Sequence, residues 1–167
     1  MPYVPTIRNY KPFYIQAASD ATAWDTTTYG IVAQSQPFPE EYEVKEPYGN
    51  NWHDEHGDDE YVASMYYKSF EHTIKFYIKA LPSSGHSAIS VLNGLRDNFR
   101  AKLVPGEFKI WDSWQERGYT KVRYVKETVD QRFISDKEAW MIFSVTFKVN
   151  DPQTRVTFSN SVISAIV

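Results

Sequence analysis

Residues 50–60 read NNWHDEHGDDE, the densest set of metal-ligating and proton-carrying side chains in the chain. His53 and His56 stand among Asp54, Glu55, Asp58, Asp59 and Glu60. Zinc needs three or four nitrogen or oxygen ligands converging on one point. A helical HExxH sets its histidines at i and i+4 on one face. Here the histidines are three apart, and Gly57 with Asn50 and Asn51 argues against a helix. A calcium loop of the EF-hand kind needs alternating Asp or Asn before its Gly, and that pattern is absent. The spacing fits a solvated acidic turn better than a metal centre. No metal ligand is therefore assigned, and a metal-dependent hydrolase at His53 and His56 ranks last of three function classes.

Other chemistry is weaker still. Ser83, Ser84, His86 and Ser87 put hydroxyls beside an imidazole, but a triad needs an orienting acid and convergence in space. No GxSxG elbow occurs, and helix capping explains the serines more simply. There is no phosphate loop and no GxGxxG. Glu40–Glu41 and Asp58–Asp59–Glu60 supply carboxylates, yet neighbours in sequence do not define a pair at catalytic separation. The expectation is a protein with no catalytic residue and no cofactor.

The elements that must position these groups are mostly strands. FYIQAA (13–18) and YGIVAQS (29–35) are strand-like, the latter with Ile31 and Ala33 on one face. Residues 1–28 are treated as a candidate flexible segment. PFPEEYEVKEPYGNN (37–51) holds three prolines with little periodicity. With the acidic turn it makes an extended arm or loop over 37–60, and a loop of that length usually has a function. YVASMYYKSF (61–70) and EHTIKFYIKA (71–80) read as strands. In the second, Ile74, Phe76 and Ile78 alternate with Lys75, Tyr77 and Lys79, so one face meets a core and the other meets solvent or a partner. Ile89, Leu92, Leu95, Phe99 and Leu103 fall at steps of three and four and form one helical stripe. Ser83, Ser84 or Ser87 caps its start, and Pro105–Gly106 stops it. Gly94 inside this helix costs about 1 kcal/mol against Ala, which a close neighbour would explain.

Strands follow at 107–114, 119–129 and 139–149, with turns expected at QERG (115–118), ISDKE (134–138) and NDP (150–152). Met141, Phe143, Val145, Phe147 and Val149 oppose Ser144, Thr146 and Lys148 in the third strand. RVTFSNSVISAIV (155–167) reads as one final strand. Strands, one helix, then strands make a mainly β, α+β fold: an antiparallel β-sandwich or barrel-like sheet with one flanking α-helix.

Composition bounds the rest. A chain of 167 residues is most simply a single domain, spanning 1–167. At 19.4 kDa it can bury roughly 70% of its extended surface. With no cysteine there is no thiol nucleophile, disulfide scaffold or cysteine zinc site. A net charge of −3 and a pI near 5.8 give no nucleic-acid footprint. No apolar run is long enough to span a bilayer, so no membrane is expected as a partner. The start lacks the apolar region of a signal peptide, which argues against secretion by that route. Aromatics are abundant, with 5 Trp, 12 Tyr and 10 Phe. Trp111, Trp114, Tyr119, Tyr124 and Trp140 around the later strands raise the second function class, a carbohydrate-binding module. Trp111 and Trp114 would face opposite sides of an ideal strand, which weakens it.

The order of short motifs resembles a known family. YGI (29–31) closes an early strand, and WHDEHGDDEY (52–61) makes a polar turn. IKFYIKA (74–80) precedes a helix with LRDNF (95–99). GEFKIWDSW (106–114), VRY (122–124) and FSVTFKVNDP (143–152) complete the series. Over residues 26–155 this resembles the N-terminal domain of phage distal tail proteins and the related tail-tube fold. The resemblance implies a structural phage or prophage tail subunit that forms homo-oligomeric rings, commonly hexamers, with other tail proteins as partners. It also implies assembly in a bacterial host cytoplasm and residence in the virion tail. It brings no catalytic residues. The expected subunit contacts lie in the segment 37–60, at Pro37, Phe38, Tyr42, Tyr48, Trp52, His53 and His56.

Overall fold

The computed structural model describes residues 11–39, 43–46, 48–51, 58–61 and 66–166. In chain order the elements are β1 (Phe13–Ala17), β2 (Trp24–Asp25), a 3-10 turn (Thr26–Tyr29), β3 (Ile31–Ala33), β4 (Tyr48–Asn51), β5 (Asp58–Tyr61) and β6 (Phe70–Ala80). Then come α1 (Ala88–Leu103), β7 (Phe108–Asp112), β8 (Arg117–Ile134), β9 (Ala139–Asp151), β10 (Val156–Ser159) and β11 (Val162–Ala165). Seven strands form one antiparallel sheet in the order β2-β1-β7-β8-β9-β6-β3. The mainly β fold with one flanking helix is thus present.

The sheet is curled. β1 and β6 are four places apart, which in a flat sheet is about 19 Å. Yet the rings of Phe13 and Phe76 lie with centroids 5.9 Å apart, edge to face. The sheet therefore bends its two ends toward one another, and the 3-10 turn joins edge strand β2 to edge strand β3. Apolar residues at every second position of β6 and β9 fill the concave side. Phe99 of α1 plugs it, touching Trp24, Phe76 and Phe143.

The helix follows its sequence signals. Ser87 Oγ accepts the Ser90 N–H, and Ala88, Leu92, Phe99 and Leu103 are buried. Two sets of charges tie it down. Arg96 and Arg100 both bond Glu127 of β8, whose side chain is only 4% exposed. Lys102 bonds Asp20 at 3.0 Å. Gly94 has no close neighbour: a Cβ there would meet open space.

Several expectations are corrected. Residues 13–28 are not a loose segment, since β1 lies between β2 and β7 with Phe13 and Ile15 fully buried. β8 runs to Ile134 because β9 supplies its hydrogen-bond partners throughout, across bulges at Tyr124/Lys126 and Val129/Gln131. The turn after β7 ends before Gly118, and Glu116 takes the positive φ of 50°. Gly118 is instead a strand residue opposite Trp111. A Cβ on it would sit 2.3 Å from the Ile110 carbonyl oxygen. The final strand is a hairpin, because Asn160 and Ser161 adopt φ of 50° and 60° and reverse the chain between β10 and β11.

Candidate subunit interface

The segment expected as an extended arm is a two-stranded ribbon. β4 pairs antiparallel with β5, from Tyr48↔Tyr61 to Asn51↔Asp58. Nearer the body, Val44 bridges Tyr67, Lys45 N–H donates to the Tyr66 carbonyl, and Lys68 N–H donates to the Glu43 carbonyl. Lys68 also ion-pairs with Glu43, whose hydrogen bond raises the ammonium's pKa. Neither β4 nor β5 pairs with the seven-stranded sheet.

The root of the ribbon is packed into the body. Gln34 N–H donates to the Lys75 carbonyl. Phe38 is 5% exposed, with its ring 5.0 Å from Tyr119 and 5.9 Å from Phe13. Gln115 clamps its backbone, accepting the Phe38 N–H at 2.8 Å and donating to its carbonyl at 3.2 Å. Pro37 is buried too, and its carbonyl accepts a bond from half-buried His72. Burial lowers the His72 pKa, and this bond only partly opposes it. Pro37 and Phe38 therefore anchor the ribbon to its own core. Tyr48 lies in β4. Tyr42, Trp52, His53 and His56 lie outside the described residues.

Charge is divided unevenly along the chain. Residues 40–60 carry nine carboxylates against one Lys, a net of −8. The rest carries 17 Lys and Arg against 12 acids, a net of +5.

The convex face of the sheet has two halves. Over β1 and β7 it is covered by the β10–β11 hairpin. Phe158 stacks on Tyr14 at 4.4 Å and on Trp111 at 6.1 Å. Ile163 is fully buried; its N–H donates to Gln16 Oε1 and its carbonyl accepts Lys109 Nζ, both at 2.9 Å. Over β6, β9 and distal β8 no described strand or helix packs on the face, though Ser144 and Thr146 are buried among its own side chains. There Trp140 stands between Tyr77 and Phe133, at 6.4 and 5.9 Å, and Phe133 is 44% exposed. Farther along β9 the side chains shrink to Ser144 and Thr146. Thr146 Oγ1 lies 2.9 Å from Thr73 Oγ1, and Ser144 donates to Asp130. Lys75 and Lys126 flank this trough from β6 and β8, and Arg123 and Lys148 stand at its end, by register. Among the described residues these four cations make no ion pair. The acids on or beside the face are Glu71, Asp130 and Glu138, and Glu138 already pairs with Lys79.

No group of three or more His, Asp or Glu among the described residues could hold a metal. Ser83 and His86 exchange backbone bonds in a tight turn. A cleft of about 370 Å³ beside β1 and β7 is lined by Gln16, Asp20 and Lys109, but all three already bond the fold's own groups. Gln16 holds the Asp20 and Ala21 carbonyls, and Lys109 holds Ile163. Burial works to raise the Asp20 pKa, and bonds from Lys102, Trp24 and the Ala17 N–H outweigh it and hold it low. Asp112 is buried, which raises its carboxyl pKa, while it caps the β7–β8 turn through the Gln115 and Trp114 N–H groups. No helix among the described residues is long and apolar enough to cross a membrane.

Neither a protein-family model nor a curated protein matches the chain. Its own surfaces must therefore carry any functional reading.

The aromatics flagged in the sequence do not form one platform. Tyr119 is in the core, Trp111 lies under Phe158, Trp114 sits in the turn after β7 beneath Lys11, and Tyr124 packs partly against the core. Trp140 alone of them joins the open row. The period-2 alternation already assigned Lys75, Tyr77 and Lys79 to a face without a core. Phe133 and Lys126 carried no such signal, because the distal part of β8 has no buried stripe.

Proposed function

We propose that this chain is a ring-forming structural subunit of a phage or prophage tail, similar to distal tail and tail-tube proteins and resident in the virion tail. The observation that carries this reading is the acidic ribbon β4–β5, which among the described residues pairs with no strand of the seven-stranded sheet. A strand pair of this kind is suited to contacts outside its own body. Contacts between two different surfaces of one subunit close into rings when the rotation permits. Tail proteins and further copies of the chain are the partners this reading needs, and the hexamer is its expected ring. The test is mass by light scattering, with negative-stain microscopy, alone and beside co-expressed tail proteins. A closed ring is expected. A strict monomer in both settings would sink the reading.

The open row Tyr77–Trp140–Phe133 favours one second reading, a carbohydrate-binding surface, since aromatic faces pack on apolar surfaces and offer polar tips. Binding on a glycan array that Trp140→Ala abolishes would support it; an empty array would remove it.

A further inference from the structure

We infer that the outer edge of distal β8, from Lys126 to Ile134, pairs antiparallel with the same edge of a second copy, joining two sheets across a two-fold axis. Backbone pairing is the first observation. β7 borders β8 only as far as Val122, whereas β9 pairs with the other side of β8 up to Ile134. Among the described residues no strand borders the outer side of Lys126–Ile134, and no backbone group bonds to it. α1 meets this part of β8 through the Glu127 side chain. A row of N–H and C=O groups left in this way is a template for another strand. Every residue from Thr128 to Ile134 is exposed, with Val129, Phe133 and Ile134 at 39, 44 and 47%. No proline interrupts the edge, and Lys126 and the bulges are what blunts it.

Length selects the occupant. Lys126–Ile134 runs for roughly 26 Å. β2, β3, β4, β5, β10 and β11 hold only two to four residues each. The stretch of β6 that β3 leaves bare is bordered by Gln34 at Lys75 and by Pro37 at His72. Among the described strands, another distal β8 is the one that matches this edge along its length. Twist agrees, since the bulges increase it locally and an identical strand carries the same twist. Charge agrees as well. Lys126 and Arg132 balance Glu127 and Asp130 within the segment, so two copies meet without net repulsion. A two-fold contact of this kind closes on itself, and it therefore stands independently of the ring reading.

Charge placed near the middle of the edge tests it on the full chain. One variant carries Val129→Lys with Gln131→Lys, the other Val129→Glu with Gln131→Glu. About a two-fold axis each variant sets its new charges against their own copies, so each alone is expected to weaken self-association about tenfold or more. An equimolar mixture is expected to recover it, since opposite charges then face one another. Both positions are exposed, so the monomer keeps its fold in either variant. The unaltered protein gives a second readout. Amide hydrogen exchange over residues 126–134 should slow about tenfold or more as the concentration rises through the range in which light scattering shows the dimer. Exchange in β1, already paired on both sides, should not change.

Self-association that both variants keep overturns the pairing, and so does a loss that mixing fails to restore. Exchange over 126–134 that stays the same while the mass rises overturns it too, and an oligomer of that kind leaves the ring reading standing. A protein that is monomeric at the highest attainable concentration overturns the pairing outright.

Discussion

Two aromatic clusters sit on the convex side of one sheet, and they have different fates. Tyr14 and Trp111 are closed over by Phe158 and the fully buried Ile163. Tyr77, Trp140 and Phe133 form a row across β6, β9 and β8. The difference lies in what polar groups accompany them. On the covered half Gln16 accepts the Ile163 N–H and Lys109 donates to the Ile163 carbonyl, so the buried backbone of Ile163 stays satisfied. On the other half Thr73 and Thr146, Ser144 and Asp130, and Lys79 and Glu138 pair with one another, while Lys75, Arg123, Lys126 and Lys148 make no ion pair among the described residues. The cluster under the hairpin is part of the fold's interior, whereas the Tyr77–Trp140–Phe133 row keeps Phe133 44% exposed.

The comparison can be broken most directly at Ile163. Ile163→Ala empties a fully buried site under the hairpin and should cost about 3 kcal/mol in denaturant unfolding. A loss below about 1 kcal/mol would mean the hairpin is not an integral cover. Next is Glu127→Gln, which removes the carboxylate that holds distal β8 to α1 on the concave side. A loss of about 2 kcal/mol is expected, because two partly buried guanidinium groups lose their partner. If stability is unchanged, the open half is held by β9 alone. Gly94→Ala should stabilise by about 1 kcal/mol, since the Cβ meets nothing and the helix gains propensity. A destabilised variant would show that this helix face is in contact with something in solution.

Phe133→Ser and Trp140→Ala sharpen the contrast from the other side. Their effect on monomer stability should be smaller, about 0.5 to 1 kcal/mol, the range for cross-strand pairs. A cost matching that of Ile163→Ala would make the open row a folding element and remove the contrast. The subtlest effect concerns His72 at the ribbon's root. Its folded pKa lies below its ordinary value of about 6.5, so the unfolded chain binds more protons over the interval between them. Stability should be complete above about pH 6.5 and fall as the pH drops toward the folded value. His72→Gln should flatten that decline in thermal melts between pH 7 and 5; an unchanged slope would place the titration elsewhere.

Elements whose pattern comes from a buried stripe were legible before any coordinates. β6, β9 and α1 stand where alternation or three-four spacing put them, with Ser87 as the cap. Distal β8 was not legible, since a strand exposed on both faces has no periodicity to read. The C-terminal hairpin was not legible either, because Asn160–Ser161 is a modest turn signal inside an otherwise continuous run. Of the expected contact residues, Pro37 and Phe38 lie in the body. Neighbouring Pro39 and the low periodicity suggested an exposed arm, and only the fold supplies the Phe13, Tyr119 and Gln115 that bury Phe38.

By itself the sequence determined the mainly β class, the single flanking helix and the concentration of negative charge over 40–60. These follow from local spacing and from composition, and neither depends on which distant residues meet. Tertiary structure alone decided that the acidic segment includes a ribbon with a buried root, and that the C-terminal hairpin covers the β1–β7 half of the convex face. Both depend on pairing between residues far apart in sequence: β1 with β7, Phe38 with Gln115, Phe158 with Tyr14 and Trp111. No window along the chain contains such pairs. The surface left open is what remains after those pairings are made, so it becomes visible only once the fold is complete.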